Sequence, residues 1–226
     1  WFNLALPLLK RYCLVTTIHD VILLDWPSQR IPAFTYKPPI KYANQLIVHG
    51  KKLKEAMIRE YKKTPDDIHV LPRGVNSVYM RYCENLVEEE RHSIMYFGRI
   101  WGYKGIQYLI EAEPLITEKV PDVKIIIAGE GENFQKYREM MVHKDKFIVH
   151  NKFIPYNMVS ELFQKASIVV LPYTDGSQSG VIPQAYAFKK PVVITDVGSL
   201  PENVDHGVTG YIVSPRDPKK LADAII

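Results

Sequence analysis

The back half of the chain alternates two patterns of apolar and polar positions. Short, nearly unbroken apolar runs recur: "SIMYFG" (93–98), "VKIIIAG" (123–129), "KFIVHNKF" (146–153), "SIVVLPY" (167–173), "PVVITD" (191–196) and "GYIVSP" (210–215). They read as strands. Their lack of polar alternation is that of parallel strands covered on both faces. Between them lie stretches with helical spacing: "GIQYLIEAEPLITE" (105–118), where Pro114 is a candidate kink, "NFQKYREMMV" (133–142), "NMVSELFQKA" (157–166), with Asn157 as its expected cap, and an apolar run from about Val181. "LPENV" reads as a short helix, and "LADAII" ends the chain with a helical pattern still running. The front half is sparser. "YCLVTTI" (12–18), "QLIVH" (45–49) and "DIHVLP" (67–72) read as strands, and "KKLKEAMIREY" (51–61) as a helix, with Leu53, Met57 and Tyr61 at four-residue steps.

Strand–helix alternation of this length predicts the α/β class, a doubly wound domain. The segment 78–92, "VYMRYCENLVEEERH", is charged and weakly periodic. The domain linker is expected within it, at 81–92, between a front domain (1–80) and a back domain (93–226). In such sheets ligands sit beyond the carboxyl ends of the strands, so the strand-to-helix loops are where chemistry is expected.

Composition narrows the classes. The chain has 226 residues, 46% hydrophobic and 24% charged, which is ordinary for a folded protein. A formal net charge of +4 is too weak to suggest nucleic acid; it leaves anionic small molecules and peripheral contact with an anionic membrane open. Cys13 and Cys83 lack metal-ligand spacing and read as reduced thiols, which points to a cytoplasmic setting. No apolar run approaches the roughly 18 residues that span a bilayer. "WFNLALPLLKRY" has no basic region ahead of its apolar part, so it is not expected to be a signal peptide. Trp1 is not an initiator Met, and the chain is expected to be a fragment.

Four loops carry candidate chemistry. In "FGRIWGYKG" (97–105), Arg99 and Lys104 stand at a strand's carboxyl end, ahead of a helix. Two cations there suit a phosphate or diphosphate; the alternative is a pair of solvated surface charges. "AGEGEN" (128–133) resembles half of a dinucleotide fingerprint. Its third glycine is absent and it follows the second strand of the domain, so a tight turn is the better reading. In "PYTDGSQSGVIPQAYAF" (172–188), Ser177, Gln178 and Ser179 supply donors, Gly176 and Gly180 permit close backbone approach, and a helix begins at Val181. An anion site and an ordinary cap by Ser177 or Ser179 both fit. His19, with Asp20, ends the first strand and is either a structural histidine or a group facing the same crevice. Gly74, Gly207 and Gly210 are expected to serve turns, and Asp196 and Glu202 to cap the short helix.

Taken in order, "FGRIWGYKGIQYLIEA", "PDVKIIIAGEGE", "ASIVVLPYTDGSQSGVIPQAYAFKKPVVITDVGSLPENVDHGVTGYIV" and "DPKKLADAI" resemble the nucleotide-sugar half of the retaining glycosyltransferases of family four, the glycosyl transferases group 1, which have the GT-B fold. "TTIHDV", "LIVHGKKLKEAMIREY" and "IHVLPRGVN" resemble the back part of that family's N-terminal domain. The resemblance implies two Rossmann-like domains, the front one incomplete. It implies transfer of a sugar from a nucleoside-diphosphate donor to a glycan or lipid-linked acceptor, as in polysaccharide biosynthesis, with no metal or other cofactor. Arg99 and Lys104 match the cations on the donor diphosphate, His19 the histidine by the donor sugar, and Ile154, with Pro155, the loop at the nucleobase. Val181 and its neighbours match the turn whose amides hold the diphosphate. The family's paired glutamates are missing: the second falls on Gln184 and the first on Gly176 or Ser177, with Asp175 adjacent as a substitute. Gln184 still offers hydrogen bonds to a ribose, without charge. These departures motivate a second class, a non-catalytic nucleotide-sugar-binding module or partner subunit. An epimerase of similar architecture would need acidic residues that are not placed for it.

Overall fold

The structure is a computed structural model that describes residues 12–19, 33–75, 78–82 and 86–226. The chain divides into two compact units, residues 1–73 and 74–226. In the first, strands β1 (Val15–Ile18), β2 (Gln45–Val48) and β3 (Ile68–Val70) form a parallel sheet in that order, with helices α1 (Ala33–Tyr42) and α2 (Lys51–Tyr61). Leu46, Val48 and Ile68 of the sheet pack with Leu53 and Met57 of α2, the stripe that the four-residue spacing predicted. Helix α1 was not foreseen, because Pro38 and Pro39 lie inside it.

The second unit holds a six-stranded parallel sheet. Its strands are β4 (Ser93–Phe97), β5 (Lys124–Ala128), β6 (Phe147–His150), β7 (Ile168–Leu171), β8 (Val192–Thr195) and β9 (Gly210–Val213), in the order β6-β5-β4-β7-β8-β9. The helices are α3 (Val78–Arg81), α4 (Ile106–Lys119), α5 (Gln135–Met140), α6 (Tyr156–Lys165), α7 (Val181–Ala187) and α8 (Pro218–Ile225). Alternate strand residues feed opposite faces. Ile94, Tyr96, Ile125 and Ile127 pack with Leu109, Ile110 and Leu221, whereas Met95, Ile126, Val169 and Leu171 pack with Val159 and Phe163. Two apolar cores, one on each side, explain why these strands carry unbroken apolar runs.

Several elements are shorter than their patterns suggested. Strand β6 stops at His150, where its neighbour in the sheet, β5, ends at Ala128. Helix α5 begins after Asn133, whose Oδ1 accepts from the Gln135 N–H at 2.9 Å, and ends before Met141 turns into the core. Asn157 lies inside α6 rather than capping it; Pro155 occupies the cap, with no side-chain bond. Similarly, Leu200, not Asp196 or Glu202, caps the single turn Pro201–Asn203. Pro114 sits within α4. The residues 86–90 are held to the second unit: the Val87 N–H donates to Gln164 Oε1 at 3.0 Å, the Glu90 N–H to the Lys165 carbonyl at 2.9 Å, and Lys190 Nζ to Glu89 at 2.5 Å. Asp20 and Cys83 lie outside the described residues, and Cys13 is an exposed free thiol.

Candidate functional site

The strand order creates one reversal. From β4 the chain moves to β5 and β6 on one side, then crosses to β7, β8 and β9 on the other. The loops leaving β4 and β7 therefore part in opposite directions, and the crevice between them at the carboxyl edge is where ligands of open parallel sheets bind. These are the loops that carry Arg99, Lys104 and residues 172–181.

The β4 loop is built from below. Tyr96, buried, donates its hydroxyl to the Arg99 carbonyl at 2.8 Å. Burial pushes that phenol well above its ordinary pKa, with neighbouring Tyr173 adding to the shift, so it stays a neutral donor. The loop after β5 braces it: Gly98 N–H donates to the Ala128 carbonyl at 3.0 Å, Ile100 N–H to the Glu130 carbonyl at 2.9 Å, and Glu132 N–H back to the Ile100 carbonyl at 2.9 Å. "AGEGEN" is thus a turn packed on the Arg99 loop. A single turn, Gly102–Lys104, then passes through Gly105 at φ +68° into α4.

Here the loops meet. The Thr174 N–H donates to the Tyr103 carbonyl at 2.8 Å, and Thr174 Oγ1 to the same oxygen at 3.2 Å. A Cβ on Gly105 would stand 1.8 Å from the Pro172 carbonyl oxygen, so only glycine allows this approach. Lys104 Nζ lies 3.7 Å from the centroid of the Tyr173 ring and 5.0 Å from that of Tyr103. Tyr173 is buried; its hydroxyl is 3.2 Å from Ser179 Oγ, and its carbonyl accepts from Thr195 Oγ1 at 2.6 Å. Ser179 Oγ also accepts from the Val181 N–H at 3.2 Å, but the cap of the helix that starts at Val181 is Gly180, not Ser179 or Ser177. The loop after β8 closes the floor. The Ser199 N–H donates to the Ser177 carbonyl at 2.9 Å, and a Cβ on Gly198 would fall 1.9 Å from the Gly176 carbonyl oxygen.

Arg99 is exposed and Lys104 half-buried at this edge. Asp175 is exposed, and its Oδ1 accepts the Gly176 N–H at 2.7 Å, so the carboxylate braces its own turn. Gly180 caps α7 with helical dihedrals. Gln178 and Val181 are half-buried in the same loop. Gln184, in the first turn of α7, is 3% exposed, yet neither its amide nitrogen nor its amide oxygen has a hydrogen-bond partner among the described residues. The hydroxyl of fully buried Ser199 is likewise without one. Such orphans are rare in folded proteins and mark places where a ligand or water completes the network. The Ile154 side chain belongs to the core, which leaves only its backbone for a ligand. His19 belongs to the first unit, at the end of β1, its ring 5.1 Å from that of His49.

Tyr96, Tyr173 and Ser199 were not anticipated. Tyr173 sits inside the quoted loop motif, but apolar-plus-aromatic residues after a strand read as core. Among the described residues no three His, Cys, Asp or Glu side chains group as metal ligands, and no helix is long and apolar enough to cross a membrane.

A family model described as glycosyl transferases group 1 matches residues 91–226, the whole of this site. The chain belongs to that family. An uncharacterized glycosyltransferase of Methanocaldococcus jannaschii is 29% identical over 192 residues, covering 79% of this chain and 49% of its own length. A D-inositol 3-phosphate glycosyltransferase of Corynebacterium diphtheriae is 27% identical over 204 residues, covering 81% and 47%. The chain thus spans about half the length of these curated relatives. Among solved structures, Anabaena HepE in complex with UDP superposes with a TM-score of 0.77 at 20% identity, over 99% of this chain and 66% of that one. Sucrose-phosphate synthase from Thermosynechococcus elongatus gives 0.72 at 18%, over 99% and 61%. The α/β fold of this family member is the GT-B fold.

Proposed function

We propose that the switch-point loops bind the diphosphate of a nucleoside-diphosphate sugar, and that the full-length protein transfers the sugar, with retention, to a glycan or lipid-linked acceptor. The observation that carries this reading is Gln184. A buried amide with both ends unpartnered, in the first turn of the helix that the 172–180 loop leads into, offers a donor and an acceptor together. That combination suits the adjacent hydroxyls of a ribose, with the diphosphate toward Arg99, Lys104 and the Ser177–Val181 turn. Anabaena HepE, of like fold, was solved with UDP and with UDP and glucose, which supports a sugar nucleotide here.

The chemistry follows from charge. As the bond from the sugar's anomeric carbon to the diphosphate breaks, negative charge grows on the departing oxygen. Arg99 and Lys104, carried by one loop at the crevice, lower the energy of that state more than of the bound donor. We assign His19 the place by the donor sugar on the resemblance, and the charge on the diphosphate to these side chains without a metal. A cytoplasmic setting follows from the cysteine usage.

One observation favours a second reading, a nucleotide-sugar-binding module without turnover. Asp175 is engaged in its own turn and Gln184 carries no charge, so neither supplies the family's glutamate pair. Titrating the full-length protein with UDP, GDP, ADP, CDP and dTDP and their sugars, alongside Arg99→Ala, separates the two. Arg99-dependent binding with slow donor hydrolysis supports transfer. Binding with no turnover of any donor supports the module, and no binding of any nucleotide removes both.

A further inference from the structure

The lysines of the second unit mostly pair with acids: Lys124 with Glu90, Lys136 with Glu132, Lys165 with Glu161 and Lys190 with Glu89. Lys104 does not. Its ammonium rests on the face of Tyr173, 3.7 Å from the ring centroid, with no carboxylate partner among the described residues. The ring is packed in place. It is 2% exposed, its hydroxyl meets Ser179 Oγ at 3.2 Å, and its carbonyl is held by Thr195 at 2.6 Å.

We propose that Tyr173 is a positioning residue of the donor site: its ring face seats the Lys104 ammonium while its hydroxyl seats Ser179, so one buried side chain sets the spacing of cation and hydroxyl around the diphosphate. This rests on the donor reading given above. The physical reason is entropic and electrostatic. A free lysine samples many rotamers and loses up to about 2 kcal/mol of side-chain entropy when an anion fixes it. A ring face holds the ammonium in place beforehand. Unlike a carboxylate, it leaves the positive charge uncompensated for an incoming anion. Tyr173 lies two residues past the end of β7 and Lys104 at the end of the β4 loop, so the seat also spans the switch point.

Fluorination tests this without changing shape. In the full-length protein, Tyr173 is replaced by phenylalanine and then by its 4-fluoro, 3,5-difluoro and 3,4,5-trifluoro forms, which drain charge from the ring face. Dissociation constants are measured calorimetrically for the tightest of UDP, GDP, ADP, CDP and dTDP, and for inorganic pyrophosphate. The expected result is a stepwise weakening of about two- to fivefold across the fluorinated series, the range of an accessible cation–ring contact. In a Lys104→Met background the steps vanish. A flat series, or an equal slope without Lys104, overturns the proposal. A second readout needs no ligand: the Lys104 ε-methylene resonance, assigned through Lys104→Met, is expected upfield from the ring current, and an ordinary shift overturns the seat. Absence of binding by the unsubstituted protein overturns the donor reading and this inference with it. Arg99-dependent binding with a flat series overturns this inference alone.

Discussion

Gln184→Leu separates stability from binding. Gln184 is 3% exposed and packs within the α7 turn among buried Ile182 and Ala185, with both amide atoms unpartnered. A buried polar group without a partner costs about 1–3 kcal/mol relative to an apolar one of similar shape. Leucine has nearly the same volume and removes that cost. For a unit of this size each kcal/mol moves the unfolding midpoint by about 2–4 °C, so the ligand-free leucine variant should melt about 2–12 °C higher. Adding the cognate nucleoside diphosphate at a hundred times its dissociation constant should stabilise the parent by about 2.7 kcal/mol and the variant far less. The order of the two melting curves then narrows or reverses on adding ligand. Thermal unfolding by circular dichroism, with and without nucleotide, reads this directly. A variant that melts lower without ligand would mean the amide is already satisfied. A variant that gains as much from nucleotide as the parent would mean the amide does not touch it. Either result refutes the reasoning.

Gly105→Ala should destabilise by about 2 kcal/mol or more in urea unfolding, since its Cβ would meet the Pro172 carbonyl at 1.8 Å and a left-handed φ alone costs about 1–2 kcal/mol; Gly74→Ala, with nothing within 4 Å, should stay within about 0.5 kcal/mol. His150 is held below its ordinary pKa by burial, with Lys152 adding to the effect. Because the unfolded chain then takes up a proton that the folded one resists, this contribution is complete above about pH 6.5 and is lost as pH falls below it, and His150→Asn should flatten that part of the stability profile. Glu89→Ala strands the Lys190 ammonium, 9% exposed, and should cost about 1–2 kcal/mol, whereas Glu88→Ala should be near neutral by the same measurement.

Much of this protein could be read along the chain. The helix Lys51–Tyr61 has the predicted bounds, because an amphipathic stripe is a local signal at fixed spacing. The buried strands announced themselves as unbroken apolar runs, because both faces of the sheet are covered. Strand β6 and helix α5 were overestimated where their limits are set by a neighbour's end or by a core contact. Helix α1 was missed because Pro38 and Pro39 argue against a helix on local grounds.

The candidate site divides the same way. Its loops, its cations and its missing acids follow from residue order, since any parallel sheet presents ligands to the loops at the carboxyl ends of its strands. Which two loops meet was decided only by the strand order β6-β5-β4-β7-β8-β9, which sets the chain's reversal between β4 and β7. Tyr103 and Thr174, 71 residues apart, join across that reversal, and Tyr173 comes to lie under Lys104. Burial that leaves Gln184 and Ser199 without partners is also a tertiary fact. Periodicity is carried by residues a few positions apart and survives in the sequence. Contacts between distant residues depend on which strands lie side by side, and that is settled only when the sheet assembles.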